Sequence, residues 1–370
     1  MKFNSVRSLP LLIILFISSL FWAGCSSAGL DLPDNGRGAS STLDDEGGSV
    51  VAVTVITTIF PLADIIDNLG GGRVGVLGLL PSGASPHTYE PTVELAKAVA
   101  GADLFVFIGG GVDNWVISLA QAESVETLEI TANMGKHLLG YSPLYPDKAG
   151  GAARAGLDGS GQGGNQENRN GNYAGTPAAS VRGVDAPGAG TPGQGYEQGS
   201  FDPHVWLDPV LVKEVIAPLI TSRLKTIDPE GAIHYDKTLG EYQEKLERLH
   251  REIITTVDGF SRKEFISYHS AWKYFARRYG LEEIAAVEPF PGQEPSARWL
   301  AQLVRLAEEY RIDVLFAEPQ LSSKAAQVIA GEIKGRVLIL DPLGGAGIEG
   351  RECYIDLIRS NLETFQAALE

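Results

Sequence analysis

Six histidines occur in the chain, and three of them stand where an imidazole would be held for metal binding. His204 lies in Phe201–Pro209, Phe-Asp-Pro-His-Val-Trp-Leu-Asp-Pro, between the pairs Asp202-Pro203 and Asp208-Pro209. Proline fixes its own φ and restricts the residue before it, so this short loop is stiff at both ends. Ligation needs a ring held in one orientation, which a stiff loop supplies. A proline-bounded turn around a packed histidine is the competing reading of the same segment. His87 also follows a proline directly, in Pro81–Pro91, Pro-Ser-Gly-Ala-Ser-Pro-His-Thr-Tyr-Glu-Pro. His269 sits in Ile266–Gly280, where an apolar strand-like run meets a helical pattern.

The elements that must carry these residues are legible around them. Val50–Ile59 is a largely β-branched run and reads as a buried strand. A helix over Pro61–Leu69 stops at Gly70-Gly71-Gly72, and a second strand, Val74–Leu80, leads to the His87 loop. Thr92–Ala100 is helical, Leu104–Ile108 is a third strand, and Gly109-Gly110-Gly111 turns the chain toward a helix over Trp115–Ala122. Leu128–Thr131 is a short fourth strand. This β-α alternation implies a parallel sheet between helices. The triple glycines are turns and not a phosphate loop, because no Lys-Ser/Thr follows them and no GxGxxG is present.

Beyond His204 the pattern repeats. Val210–Leu224 is helical, and Gly231–Val257 carries Tyr235, Leu239, Tyr242, Leu246, Leu249 and Ile253 at three- and four-residue steps, a long amphipathic helix. His234 and His250 lie in it among charges and read as solvated; His137 belongs to no motif. Strands follow at Phe265–Ser267, Ile284–Val287, Val314–Ala317 and Arg336–Leu340. Between them lie helices over Ala271–Tyr279, capped by Gly280, from Ser296 as N-cap to Tyr310, and over Ser322–Gly331. A glycine-rich turn, Gly344–Gly350, precedes a terminal helix. His269 and Asp341 fall just after strand C-termini, where open α/β sheets bind ligands.

A chain of 370 residues can bury more than one core. The net charge of −16 argues against nucleic-acid binding and mildly favours the approach of a cation. Residues 1–24 read as a secretory signal, with Lys2 and Arg7 before an apolar run from Leu9 to Trp22. Ala23-Gly24-Cys25 resembles a bacterial lipobox, which makes Cys25 the lipidated first residue of the mature chain. Residues 25–49, rich in Gly, Ser and Asp, read as a tether. The other cysteine, Cys353, falls in the terminal helical pattern and is expected to pack, so no internal disulfide is expected. Tyr141–Ser200 is dominated by Gly, Ala, Asn and Pro and reads as a disordered insert.

As a set these features resemble the metal-binding receptors of bacterial ABC importers, the zinc and manganese solute-binding lipoproteins. The matching pieces are His87 with Tyr89-Glu90-Pro91, Ala102-Asp103-Leu104 leading to Gly109–Trp115, Asp202–Pro209, Tyr268-His269 with Tyr274-Phe275, Gln293-Glu294-Pro295-Ser296, and Asp341-Pro342-Leu343. They cover the chain from Val50 to its end, apart from the insert. The resemblance implies an α/β fold of two lobes, each a parallel four-stranded sheet flanked by helices, joined by one long linking helix. The lobes are residues 50–230, containing the insert 141–200, and residues 258–370, with the linker at 231–257. It also implies a metal between the lobes, held by His87, His204, His269 and Asp341.

Three imidazoles and a carboxylate suit tetrahedral Zn2+, whereas manganese favours more oxygen ligands. In the family the third position is often Glu for manganese and His for zinc. His269 therefore favours zinc as the transported ligand, with manganese the alternative cargo. Asp202, Glu288 and Glu318 are the acceptors expected to hold the non-ligating ring nitrogens. In zinc members a loop near the insert is often rich in His and acids, but this insert contains no histidine.

The function implied is an extracytoplasmic zinc receptor, not an enzyme. It would be attached to the membrane by lipid on Cys25, act as a monomer and deliver Zn2+ to an ABC permease. The alternative is a zinc hydrolase, with three histidine ligands and Glu288 or Glu318 as base toward a metal-bound water. Asp341 separates the two, since a fourth protein ligand closes the site; the chain has no H-E-x-x-H. A surface adhesin is a third reading, resting on the label given to some family members.

Overall fold

Strand β1 (Val53–Thr57) occupies the interior of the first sheet, with β2 (Val74–Gly78) on one side and β3 (Leu104–Phe107) on the other. A computed structural model describes residues 51–116, 119, 125–140, 201–289, 292 and 294–370. The expected signal 1–24, Cys25, the tether 25–49 and the insert 141–200 lie outside the described residues, as do Gln293 and most of the helix expected over 115–122. β4 (Thr127–Glu129) completes the order β2-β1-β3-β4, all parallel, with Val53 opposite Val74, Val55 opposite Leu104 and Phe105 opposite Thr127. Every residue of β3 is buried, as a strand covered on both faces must be.

Helix α1 (Phe60–Gly70) starts with Pro61 in its first turn and ends at Gly71, whose φ of +52° is left-handed. A Cβ at Gly71 would lie 2.8 Å from His234 Nε2, so this glycine also permits close approach of the linking helix. His234 Nε2 lies 2.9 Å from the Gly70 carbonyl and caps α1. His234 and His250 are thus partly buried and bonded, not solvated as expected; His250 Nδ1 lies 3.2 Å from the Tyr279 hydroxyl. Helix α2 (Val93–Ala100) leads into β3.

Asp208 caps a short helical turn, Pro209–Leu211, by accepting from Val210 N and Leu211 N. A π-helical turn, Val212–Ile216, then joins it to α3 (Ala217–Ile227), where sequence pattern implied one regular helix. The linking helix α4 (Ala232–Asp258) has 27 residues, roughly 40 Å at 1.5 Å per residue. It buries Tyr235, Tyr242, Leu246, Leu249, Ile253 and Val257 along one stripe.

The second sheet repeats the wiring of the first. β5 (Glu264–Ser267), β6 (Glu282–Ala286), β7 (Val314–Ala317) and β8 (Arg336–Ile339) run parallel in the order β6-β5-β7-β8. Helix α5 (Lys273–Tyr279) ends at Gly280 with φ +69°, and α6 (Ala297–Glu309) is capped by Ser296, which accepts from Trp299 N. Helices α7 (Lys324–Glu332) and α8 (Tyr354–Leu369) complete this half, with Cys353 buried at the start of α8. Among the described residues no helix is long and apolar enough to cross a membrane.

One continuous core runs from β1 and β3 through the α4 stripe to Phe265, Phe316 and Phe365. Smaller clusters cover the outer faces, around Ile56, Phe105 and Phe107 on the first sheet and Ile266, Leu315 and Ala317 on the second. Helix α8 ties back to the first half: Tyr354 N donates to Asp64 Oδ2, and the Tyr354 hydroxyl donates to the Trp206 carbonyl. The C-terminal edges of the two sheets carry the residues singled out above.

Candidate metal centre

Each histidine is delivered by a segment fixed through its own hydrogen bonds. The loop after β2 is pinned where Trp115 Nε1 donates to the Pro86 carbonyl at 3.1 Å, next to His87. Asp202 Oδ1 accepts from both His204 N (2.9 Å) and His204 Nδ1 (2.8 Å), closing a tight side-chain turn. The Tyr274 hydroxyl donates to the Asp202 carbonyl and accepts from Leu139 N, while Arg278 pairs with Asp208 at the far end of the loop. After β5, Ser267 Oγ donates to the His269 carbonyl at 2.8 Å. Trp206 Nε1 donates to the Pro342 carbonyl, joining the His204 and Asp341 loops.

These supports bring three rings together. His204 Nε2 lies 3.3 Å from His87 Nε2 and 3.1 Å from His269 Nε2. The ring centroids are 5.0–5.4 Å apart. The tautomers follow from the far side of two rings. A carboxylate only accepts, so His204 Nδ1 donates to Asp202 and His269 Nδ1 donates to Glu318 Oε1 at 2.6 Å. In their neutral forms both rings therefore aim an Nε2 lone pair at the same point. At this distance the two nitrogens can share either a proton or a metal ion. Zinc held tetrahedrally at about 2.0–2.1 Å separates two nitrogen ligands by roughly 3.3 Å, so the spacing fits the ion.

The electrostatics match the donor role. Burial, with His269 and His204 as neighbours, pushes His87 well below the ordinary imidazole value and keeps it neutral. For His269 burial acts in the same direction, but the charge and hydrogen bond of Glu318 outweigh it and the net shift is upward. Beneath this loop the Glu283 carboxyl is hydrogen-bonded to the Ser267 and Ser270 hydroxyls, and burial raises it to about 8.

Asp341 is placed differently from its three expected companions. Among the described residues the ligand atoms that come within 4.8 Å of one another belong to His87, His204 and His269. Asp341 Oδ1 accepts from Gln320 Nε2 (2.8 Å), Leu343 N (3.0 Å) and Gly344 N (3.1 Å), and Oδ2 pairs with Arg351 Nη1 at 2.8 Å. Its own turn and the far end of the glycine-rich segment thus occupy its oxygens. Arg351 was invisible as a partner because it stands ten residues away across that turn.

Sequence reasoning also missed Gln320, which lines the cavity with the three histidines. The signal was available, since Glu318 and Gln320 follow the end of β7 as His269 follows β5. Of the three expected acceptors, Asp202 serves His204 and Glu318 serves His269. Glu318 is buried and held on a ring, not poised as a free base. Glu288 is buried beside Tyr268. The cavity itself measures about 10 Å³ and is bounded also by Pro86, Trp206, Pro342 and Leu343. A larger cavity of about 260 Å³, lined by Lys136, Asp208, Tyr274, Arg277 and Arg278, carries exposed His137 but, among the described residues, no ligand cluster.

Known proteins resemble the chain over most of its length. Residues 55–368 match the family model ZnuA, described as zinc-uptake complex component A, periplasmic. The chain is 28% identical over 336 residues to the high-affinity zinc uptake system protein ZnuA of Bacillus subtilis (strain 168), covering 90% of this chain and 92% of that one. It is 27% identical over 320 residues to the zinc-binding protein AdcA of Streptococcus pyogenes serotype M1, covering 85% of this chain. It spans about half the length of that relative, 55%. Among solved structures a crystal structure of ZnuA superposes with a TM-score of 0.65 at 28% identity, over 86% of this chain and all (100%) of that one.

Proposed function

The chain belongs to the ZnuA family of zinc-uptake components, and on that premise we propose that His87, His204 and His269 hold one Zn2+ at the facing ends of the two sheets. The protein is the zinc-binding receptor of an ABC importer, acting outside the cytoplasm and delivering the ion to a membrane permease. The observation that carries the ligand assignment is the convergence of three ring nitrogens, with His204 Nε2 3.3 Å from His87 Nε2 and 3.1 Å from His269 Nε2. Nitrogen donors at this spacing favour zinc over manganese, which prefers oxygen.

The reading is of a carrier and not a catalyst. Of the two bases that hydrolysis could use, Glu318 is committed to His269 Nδ1 and Glu288 is buried. Asp341 acts from behind the ligands as a fixed negative charge, anchored by Arg351. The three histidines come from one chain, which supports action as a monomer. The Ala23-Gly24-Cys25 motif supports membrane attachment by lipid on Cys25. The test is a zinc titration against a chromophoric chelator. One ion per wild-type chain, with binding abolished in His204→Ala, supports the reading; undiminished binding by that variant defeats it.

A further inference from the structure

Gln320 carries a buried side-chain oxygen that no donor among the described residues satisfies. Its Nε2 donates to Asp341 Oδ1 at 2.8 Å. Its Oε1 is buried and meets no donor among the described residues. An unmet buried acceptor costs about 1–3 kcal/mol, so such an atom calls for an explanation. Rotating the amide would not resolve it. Asp341 only accepts, and it is itself held by Arg351 Nη1 and by the backbone N–H groups of Leu343 and Gly344. The carboxylate therefore fixes which end of the amide faces it and leaves Oε1 turned away.

Gln320 lines the same small cavity as His87, His204 and His269. Three neutral imidazoles leave a tetrahedral ion one face short. The space between these side chains, about 10 Å³, is close to that of one water-sized body. An ion seated there has the unsatisfied Gln320 Oε1 in the lining of its own cavity. We propose that Gln320 Oε1 is the fourth ligand of the bound zinc, and that Asp341 is the residue that orients it. This rests on the three-histidine reading above.

A pattern then unites the site. His204, His269 and Gln320 are neutral donors, and each is backed by a buried carboxylate: Asp202, Glu318 and Asp341 respectively. The negative charge that balances the ion stands one hydrogen bond away from it. An all-neutral donor set holds a dication less firmly than one with a direct carboxylate, which suits a carrier that must release its cargo.

The test uses zinc affinity together with the visible absorption of the Co2+-loaded protein, which reports ligand number and type independently of transport. Wild type, Gln320→Leu, Gln320→Asn, Asp341→Asn and His204→Ala are compared after thermal melts confirm that each is folded. Gln320→Leu and Gln320→Asn are expected to weaken zinc roughly tenfold or more and to alter the cobalt spectrum. Unchanged affinity and spectrum in both, with binding lost in His204→Ala, overturn the role of Gln320 while the three-histidine site stands. A spectrum altered by Asp341→Asn but untouched by both Gln320 variants makes Asp341 the direct ligand and also overturns the proposal. Undiminished zinc binding by His204→Ala removes the site on which it rests.

Discussion

His204 Nε2 and His269 Nε2 face each other at 3.1 Å, and each ring gives its other nitrogen to a buried carboxylate. One residue comes from the loop before a short helical turn and the other from the end of β5, so the two halves of the chain meet at this contact. The carboxylates make both inward nitrogens bases at once, and a cation is what such a pair accommodates.

The carboxylates behind the rings should matter almost as much as the rings. Asp202→Ala and Glu318→Ala are each expected to lower zinc affinity roughly 10–100-fold, by freeing the ring and weakening its basicity. Competition titration at fixed pH checks this; affinities equal to wild type would show that the two bonds do not tune the site.

Zinc affinity should fall as pH drops from about 7 to 5, because a protonated imidazole has no lone pair to offer. His269 is held above its ordinary value of 6.5, chiefly by Glu318 acting against burial, so its proton competes already near neutrality. Glu318→Gln removes that charge and should move the proton competition to lower pH while weakening zinc overall. An affinity independent of pH over this range would exclude a three-histidine site.

Glu283 links stability to pH in the metal-free protein. Burial raises its carboxyl from 4.5 to about 8. A carboxyl whose folded value is raised contributes stability that is full below its unfolded value and is lost as pH rises through the folded one. The unfolding free energy of wild type should therefore fall relative to Glu283→Gln between about pH 4.5 and 8, by on the order of a few kcal/mol. Parallel pH profiles for the two proteins would contradict the assignment.

Asp341 should be a structural anchor before it is anything else. Its side chain is 1% exposed and pairs with Arg351, which is 25% exposed. Truncating one member of such a pair strands the other, so Asp341→Ala should cost the metal-free protein on the order of 2–4 kcal/mol, somewhat less than for a fully buried pair. Denaturant unfolding measures this. A variant as stable as wild type would mean that the anchor carries no load.

Closure on zinc should be modest. The core is continuous from β1 through the α4 stripe to Phe265 and Phe365, and a wide hinge would tear it. Small-angle scattering should show little change in radius between free and zinc-bound protein, and a large contraction would contradict the account.

Much of this was legible in the sequence because it rests on local rules. The β-branched run at Val53–Thr57, the glycine stops at Gly71 and Gly280, and the Ser296 cap need only a few neighbouring residues. The positions of His87 and His269 just beyond strand ends follow from the way α/β sheets bind ligands. Long-range pairing stayed hidden: Gly71 admits His234, Gln320 reaches Asp341, and Arg351 holds Asp341. A carboxylate after a strand looks like a ligand in sequence whether its oxygens are open or already taken by its own turn. The π-helical turn at Val212–Ile216 leaves the apolar pattern nearly unchanged and gives no local sign.

X-ray absorption at the zinc edge of the loaded protein counts the imidazoles on the ion. The expected result is one zinc per chain with four ligands at about 2.0–2.1 Å, three of them imidazoles. Fewer than three imidazoles, or a shell of six oxygen-rich ligands, would contradict it.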